Sequence, residues 1–240
     1  MLLANKTVLI TGGTAGIGVA LARVLKGRGA KILVCGRDRE RLEALARENF
    51  FTIRADVGTD EGRAAIIDAG RRLGGFDVLV NNAGIQSSID FRKEVPLEQA
   101  RAELDTNLAG PILLTALAMP HLLDRPEAYV VNVTSALALV PKRTAPVYCA
   151  TKAGLRSFST ALRYQLEGTS VRVLEVVPPL VDTKMAAGRG GTKISPLACA
   201  EAIVRGLEGD REVLWIGRSR LLYRVHRVAP SLAARLTKNA

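Results

Sequence analysis

Short apolar runs alternate with segments of helical periodicity along nearly the whole chain. The first run, Thr7 to Ile10, leads through a glycine-rich turn into apolar residues spaced as on a helix. The runs are uniformly apolar instead of alternating with polar residues, so both faces of the sheet they form must be covered. The sequence therefore predicts an α/β fold, a doubly wound parallel β-sheet of about seven strands with helices on both faces.

The predicted elements follow one another without a linker that would divide the chain. Strands are predicted at residues 7–10, 31–35, 51–54, 78–80, 129–133, 171–176 and 213–216. Helices are predicted at residues 19–25, 39–47, 60–73, 97–119, 148–167 and 196–207. The sequence has no internal repeat and no low-complexity segment, so we expect a single domain.

The composition is that of a globular protein and gives no sign of a membrane span. Of the 240 residues 48% are hydrophobic and 24% are charged, and no apolar run reaches the ~18 residues that cross a bilayer. Cys35, Cys149 and Cys199 are scattered, and neither histidine lies near Cys149, which argues against a disulfide framework, a metal site or a nucleophilic thiol. The start of the chain lacks the apolar stretch of a signal peptide, so we expect a cytoplasmic protein.

A glycine-rich turn connects the first predicted strand to the first helix. Gly12, Gly16 and Gly18 follow the order Gly-x-x-x-Gly-x-Gly, with Thr14 and Ile17 between them. Glycines let the backbone approach a pyrophosphate, and the first N–H groups of the next helix are free to bind the anion. A plain glycine turn is the alternative, but the strand before it and the helix after it are the context that a dinucleotide site requires. The motif therefore predicts a Rossmann-like nucleotide-binding fold.

The end of the second predicted strand indicates which dinucleotide binds. An acidic residue there would accept hydrogen bonds from the ribose 2′-hydroxyl and repel a 2′-phosphate. The chain instead has Gly36 followed by Arg37, whose guanidinium suits a phosphate group. We therefore predict NADP(H) as the cofactor. NAD(H) is the alternative, if Arg37 is only a solvated charge and Asp38 binds the ribose.

Tyr148 and Lys152 lie four residues apart in a predicted helix, and Ser135 lies thirteen residues upstream of the tyrosine. At this spacing a phenol and an ammonium share one helix face, one turn apart. The cation favours the phenolate, so we expect the Tyr148 pKa to lie below its usual ~10. Such a pair suits proton transfer, although Tyr-x-x-x-Lys also occurs on ordinary solvated helices.

Together these motifs resemble the short-chain dehydrogenase/reductase superfamily, in its single-domain type. The matching residues are Thr11 to Gly18, Asp56-Val57, Asn81 to Gly84, Asn107, Ser135, Tyr148, Lys152, and Pro178 to Thr183. Residues 82–86, 146–153 and 178–183 are also similar to a subgroup named for an oxidoreductase associated with D-alanylation of lipoteichoic acid. That name gives no substrate for this chain.

The resemblance implies roles for the matched residues. Tyr148 passes a proton to or from the substrate oxygen, and Ser135 hydrogen-bonds that oxygen. Lys152 holds the nicotinamide ribose and lowers the Tyr148 pKa, while Asn107 supports a water-linked proton relay. The residues expected to bind the cofactor are Gly12, Thr14, Gly16, Ile17, Gly18, Arg37, Asp56, Val57, Asn82, Ala83, Gly84, Tyr148, Lys152, Pro178, Val181 and Thr183.

Several of these expectations concern particular parts of the cofactor. Asp56 and Val57 would flank the adenine, and Thr183 would contact the nicotinamide amide. Asn81 and Asn82 either contact the cofactor or tie neighbouring strands and turns together. The family commonly has Pro-Gly where this chain has Pro178 and Pro179. Because the second proline fixes φ and removes an N–H donor, we expect a stiffer loop with one fewer backbone contact to the nicotinamide.

The substrate pocket is expected outside the carboxyl ends of the strands, walled by residues 85–96, 136–147 and 184–195. The apolar residues of these loops that we expect near the pocket are Leu137, Leu139, Val140, Val147 and Met185. A moderately apolar ketone, aldehyde or alcohol fits such a pocket, unless these side chains anchor the loops to the core. Lys184, Arg189 and Lys193 lie among glycines and form either a solvated mobile loop or an anion site.

The net charge of +11 is concentrated near the C-terminus, where residues 211–240 carry seven Lys or Arg and one acid, +6 of the total. Apolar residues recur there at helical spacing, surrounded by arginines, until Pro230 interrupts the pattern. Such a basic amphipathic segment packs on its own domain, pairs with a second subunit, lies on an anionic membrane or approaches nucleic acid. We rank these options in that order, since no nucleic-acid-binding motif accompanies the charge.

The sequence therefore predicts an NADP(H)-dependent oxidoreductase that interconverts a small carbonyl compound and a primary or secondary alcohol. Residues 1–217 would form the nucleotide-binding and catalytic domain, and residues 218–240 its basic extension. The resemblance also implies a homo-oligomer, a dimer or tetramer formed through the long helices. The alternative is a dinucleotide-binding regulatory or scaffold protein without turnover, with or without membrane contact. Such a protein need not retain Asn107, Ser135, Tyr148 and Lys152 together, and this chain has all four.

Overall fold

The computed structural model describes residues 1–239. The strands are β1 (Thr7–Thr11), β2 (Lys31–Gly36), β3 (Phe51–Arg54), β4 (Val78–Asn81), β5 (Ala128–Val133), β6 (Val171–Val177) and β7 (Val213–Trp215). They form one sheet in the order β3-β2-β1-β4-β5-β6-β7, and every neighbouring pair is parallel. The predicted doubly wound parallel sheet is confirmed.

Helices cover both faces of the sheet. They are α1 (Gly16–Gly27), α2 (Arg39–Arg47), α3 (Asp60–Arg72), α4 (Leu97–Leu104), α5 (Gly110–Leu123), α6 (Pro146–Gln165), α7 (Pro196–Glu208), α8 (Arg218–Val228) and α9 (Pro230–Thr237). Successive strand residues point to opposite faces, so Val8 and Ile10 pack in a cluster with Leu21 of α1 and Ile203 of α7. Leu9 packs in the second cluster, on the α3, α5 and α6 side.

The long helix predicted over residues 97–119 is longer than expected and is not regular. A single π-helical turn, Asp105–Ala109, separates α4 from α5 and carries Asn107. Hydrophobic periodicity does not reveal such a turn, which is often found at functional sites. Within the 27-residue helical segment Leu97–Leu123, an 18-residue window reaches a mean hydropathy of 1.3, which by length and composition is enough to cross a membrane. Part of this hydropathy comes from core residues, because Leu114 and Ala118 pack against the sheet.

The C-terminal helices contact the rest of the domain on one side and leave apolar residues in solvent on the other. The Ser219 hydroxyl is buried and donates to the Val177 carbonyl oxygen (2.7 Å), and Tyr223 stacks on Trp215 with ring centroids 4.4 Å apart. Leu221 and Val228 are 62% and 88% exposed. The outer face of α5 also exposes leucines, and apolar surfaces of this kind are common where partners bind.

A buried ion pair supports the sheet behind the carboxyl end of β5. Glu175 of β6 is inaccessible to solvent, and its carboxylate accepts hydrogen bonds from the Thr134 hydroxyl (2.9 Å) and the Arg156 guanidinium (2.8 Å). The same guanidinium lies 5.1 Å from the centroid of the Trp215 ring. Arg156 therefore connects α6, β6 and β7 through one charged group.

We expect Arg156→Met to lower the free energy of unfolding by about 3–5 kcal/mol, because it leaves a buried carboxylate without its closest cation. Urea unfolding followed by circular dichroism measures the change. Arg205→Met, which removes an exposed ion pair with Glu201, is the control and should cost less than about 1 kcal/mol. The double variant Arg156→Met/Glu175→Leu should recover most of the loss. An Arg156 effect as small as that of the control would show that the pair is not important for stability.

Candidate active site

Two neighbouring cavities open at the carboxyl edge of the sheet, where polar and glycine residues follow the apolar strands. The smaller, of about 220 Å³, is a groove bordered by Gly12, Gly16 and Lys152. The larger, of about 650 Å³, is bordered by Ser135 and by residues of the loops after β4, β5 and β6. Tyr148 borders both. The edge expected to hold both ligands therefore contains a groove and a pocket that share one phenol.

The groove is built on close backbone contacts that only glycines permit. A Cβ atom on Gly18 would lie 2.4 Å from the Gly12 carbonyl oxygen and 2.6 Å from the Asn82 Nδ2 atom. Gly12 and Gly16 have φ values of +63° and +54°, which favour glycine. The first turn of α1 thus lies directly against the ends of β1 and β4.

The first N–H groups of α1 are available to an anion. Within residues 1–239 no side chain caps this helix and its first turn holds no acid. By contrast, Asp38, Thr59 and Ser195 cap α2, α3 and α7. An uncapped N-terminus beside side-chain-free backbone fits the pyrophosphate of a dinucleotide.

Asn81 and Asn82 tie the strand ends together. The Asn81 amide donates to the Asn132 side-chain oxygen (2.8 Å) and to the Thr115 hydroxyl (3.1 Å). The Asn82 amide donates to the carbonyl oxygens of Thr11 (2.9 Å) and Gly12 (3.2 Å). Asn82 and the next two residues, Ala83 and Gly84, also border the groove. Asn81 thus has the structural role, whereas Asn82 ties the turn and lies where a cofactor would be.

At the adenosine end, Arg37 and Asp56 form an exposed ion pair, with 3.3 Å between the Nη1 and Oδ2 atoms. Asp38 is engaged elsewhere, because its carboxylate accepts from the Arg41 backbone N–H (3.1 Å) and pairs with the Arg41 guanidinium. Thr14 lies against Gly36, where a Cβ atom would be 2.7 Å from its methyl carbon. The Val57 side chain is buried in the core, so only the backbone of Val57 could contact an adenine.

The four residues expected to be catalytic lie at or next to the two cavities. The Lys152 ammonium donates to the Val133 carbonyl oxygen (2.8 Å) and lies 5.8 Å from the centroid of the Tyr148 ring. The Asn107 amide donates to and accepts from the backbone of Ile85, both at 2.8 Å. The Ser135 hydroxyl accepts from the Leu137 N–H (3.2 Å). In this arrangement the Asn107 side chain fixes the loop after β4.

The expectation of a lowered Tyr148 pKa is wrong for this structure. Burial raises the pKa of Tyr148 to about 12, although hydrogen bonding with Ser135 and the positive charge of Arg189 oppose the rise. Burial also lowers the pKa of Lys152 to about 8, because desolvation disfavours its ammonium. The spacing placed the pair on one helix face, but desolvation outweighs any effect of the lysine. At neutral pH Tyr148 therefore retains its proton.

The larger cavity is bordered by only some of the apolar loop residues expected there. Of the apolar loop residues, Leu137 and Met185 border it, whereas Val140 is buried in the protein and Leu139 and Val147 do not border it. Its polar border residues lie in the loops expected to wall the pocket but were not singled out there, and they are Gln86, Ser87, Ser88, Lys142 and Thr144. Glu103 is also buried near the site, where its carboxylate accepts from the Ser87 N–H. Glu103 lies four residues before Asn107, a helical spacing that is the signal by which it could have been found.

The loop after β6 closes one side of both cavities. Pro178 and Thr183 border the groove and the larger cavity, and so does Ile17 of α1. Val181 is largely buried and pairs with Ile194 in an isolated parallel bridge. Pro179 borders the larger cavity only.

The chain is similar in sequence and in fold to known short chain dehydrogenases. The sequence profile of the short chain dehydrogenase family matches residues 6–193. The oxidoreductase DltE of Bacillus subtilis (strain 168) is 47% identical over 219 residues, 88% of this chain and 87% of DltE. The NADP-dependent 3-hydroxy acid dehydrogenase YdfG of Salmonella typhi is 37% identical over 195 residues, which are 78% of this chain and 74% of YdfG. The crystal structure of a short chain dehydrogenase from Burkholderia cenocepacia J2315 in complex with NADP superposes with a TM-score of 0.87 at 26% identity, covering 98% of this chain and 99% of that one.

We expect Gly18→Ala to weaken NADPH binding at least about tenfold, because its methyl group would push the first turn of α1 away from Gly12 and Asn82. Titration of NADPH fluorescence measures the dissociation constant. Gly27→Ala, in the last turn of the same helix with open space around it, is the matched control and should bind NADPH normally. Equal affinity of the two variants would show that the groove does not receive the pyrophosphate.

Proposed function

Because this chain belongs to the short-chain dehydrogenase family, we propose that it is an NADP(H)-dependent oxidoreductase that interconverts a carbonyl compound and an alcohol. One observation carries the proposal. The phenol of Tyr148 borders both the glycine groove, which fits a dinucleotide, and the larger cavity, which has room for a small molecule. A proton donor is therefore held where the two ligands would meet.

The residues of the site suit the chemistry of carbonyl reduction. When bound, a reduced nicotinamide supplies a hydride to the carbonyl carbon, and negative charge then develops on the carbonyl oxygen. Tyr148, protonated at neutral pH because its pKa is raised to about 12, donates its proton to that oxygen. The Ser135 hydroxyl, which borders the same cavity, donates a hydrogen bond to the oxygen as the charge grows.

Lys152 and Asn107 position these groups. Lys152 is buried with its ammonium on the Val133 carbonyl, and it borders the groove where a ribose would lie. Asn107 holds the backbone of Ile85, and a Cβ atom on Gly84 would lie 3.3 Å from its side-chain oxygen and 3.7 Å from the Lys152 ammonium. We propose that both residues hold the groove at a fixed position relative to Tyr148.

We expect Tyr148→Phe to lower kcat for carbonyl reduction by about 10²–10⁴-fold, the usual contribution of a general acid, because it removes the proton donor and little volume. The dissociation constant for NADPH should change less than about threefold, since the ring and Lys152 remain. Steady-state NADPH consumption over a panel of ketones and aldehydes gives kcat, and fluorescence titration gives the dissociation constant.

Tyr164→Phe is the matched control, because Tyr164 lies on the same helix but is 68% exposed. An active Tyr148→Phe enzyme would contradict the acid role. Wild-type protein that binds NADPH tightly and reduces no carbonyl in the panel would favour the alternative of a dinucleotide-binding scaffold.

We propose NADP(H) as the cofactor on the chemistry at the end of β2. Gly36 carries no carboxylate that would repel a phosphate, the Arg37 guanidinium is exposed, and the carboxylate of Asp38 caps α2. A neighbouring solved structure contains NADP and the Salmonella relative is NADP-dependent, which supports the same choice.

We expect Arg37→Gln to raise KM for NADPH about tenfold or more while leaving KM for NADH nearly unchanged, because only NADPH carries the 2′-phosphate. The ratio of kcat/KM for the two cofactors measures the effect. Arg39→Gln removes an exposed arginine two residues away, which pairs with Glu43, and should leave the ratio unaltered. Wild-type preference for NADH would overturn the assignment.

A further inference from the structure

The larger cavity has a cationic side that catalysis as described above does not use. Lys142 lies in the loop between Ser135 and α6, and Arg189 lies in the loop after β6. Both border the cavity that Tyr148 also borders. Two positive side chains from different loops therefore face the space in which a substrate would bind.

The Lys142 residue is 9% exposed, and within residues 1–239 its ammonium has no ion pair and no hydrogen bond, while its nitrogen keeps access to the cavity. Lysines with so little exposed surface are usually paired, because an unpaired ammonium that is partly desolvated loses some hydration without compensation. Desolvation accordingly lowers the pKa of Lys142, and the positive charge of Arg189 lowers it further. The cavity is thus a place where an anion would relieve an unfavourable charge.

Arg189 is close enough for its charge to act on both Lys142 and Tyr148. Its side chain is half-buried, and no acid within residues 1–239 pairs with it. Lys193 of the same loop differs, since it lies 3.6 Å from the carboxylate of Asp182. The negative charge of Glu103 raises the pKa of Tyr148, but Glu103 is not among the groups that shift the pKa of Lys142. The two cations therefore share a region without a compensating carboxylate.

We propose that Lys142 and Arg189 form a subsite for an oxyanion of the substrate, so that the enzyme acts on a carbonyl or alcohol compound that carries a carboxylate or phosphate near its reacting carbon. The inference rests on the proposed function and names its substrate class. Leu137 and Met185 border the same cavity, which suits an apolar segment in the same molecule. The moderately apolar neutral substrate expected from the loop sequences is thereby replaced by an amphiphilic anion.

The test compares a short 3-oxo carboxylate with its methyl ester and with a ketone phosphate, in wild type and in Lys142→Gln and Arg189→Gln. For whichever anion is the better substrate, KM should rise about tenfold or more in each variant, because a charge-assisted hydrogen bond is lost. KM for the ester should change less than about twofold. The double variant should lose less than the product of the single effects, since both cations bind one anion.

Arg143→Gln is the matched control, because it removes one positive charge from the next residue, which is exposed and does not border the cavity. Thermal unfolding supplies a second readout. Lys142→Gln removes an unpaired buried charge, so Tm should hold or rise, whereas a merely structural lysine would lower it. Arg189→Gln, on a half-buried side chain, keeps the test valid if the first variant folds poorly.

The outcomes separate the two proposals. Ester and acid reduced equally well, with the variants indistinguishable from wild type, would overturn the anion subsite and leave the oxidoreductase intact. If no carbonyl compound consumed NADPH, the proposed function would fail. In that case the shift in Tm caused by the 3-oxo carboxylate and the ketone phosphate in the presence of NADPH decides the subsite. If either anion raises the Tm of the wild type but of neither variant, the subsite is supported. If the anions shift the Tm of all three proteins equally, or of none, the subsite is overturned.

Discussion

The contact on which the rest of the site depends is the approach of the first turn of α1 to the ends of β1 and β4. The Gly12 carbonyl oxygen lies where a side chain on Gly18 would be, and the Asn82 amide binds that carbonyl and the one before it. This contact has two consequences. It brings the uncapped N–H groups of α1 to the sheet edge, and it holds the turn after β4, whose residues border the groove beside Lys152.

Burial governs the electrostatics of the catalytic residues more than their mutual spacing does. The Tyr148 phenol and the Lys152 ammonium are both largely inaccessible, and desolvation moves their pKa values in opposite directions, each toward the neutral form. A neutral phenol is a proton donor, which suits reduction. Oxidation of an alcohol would instead require the phenolate, which a pKa of about 12 makes scarce at neutral pH.

The sequence was sufficient for the fold and for the approach of the glycine turn, Ser135 and Tyr148 to the sheet edge. Uniformly apolar strands indicated a sheet covered on both faces, and Gly12, Ser135 and Tyr148 each follow or face a strand end, so their convergence follows from the topology. The pKa of Tyr148 could not be predicted in this way, because desolvation depends on which residues from distant segments cover it. The π turn at Asn107 was also hidden, because a single irregular turn is too short to be recognised in hydrophobic periodicity.

The loops that carry Lys142 and Arg189 were both expected to wall the pocket, but the sequence does not show that their cations border one cavity. The loop that carries Arg189 is closed at its base. Its two ends are joined by the bridge between Val181 and Ile194 and by backbone hydrogen bonds of 2.9 and 3.1 Å. Gly188 and Gly191 flank the arginine with φ values of +74° and +97°. Pro178 and Pro179, whose φ angles are restricted, precede this loop, and glycines occupy its tip. An anion bound at the proposed subsite would therefore contact two separate loops, because Lys142 precedes α6 and Arg189 follows β6.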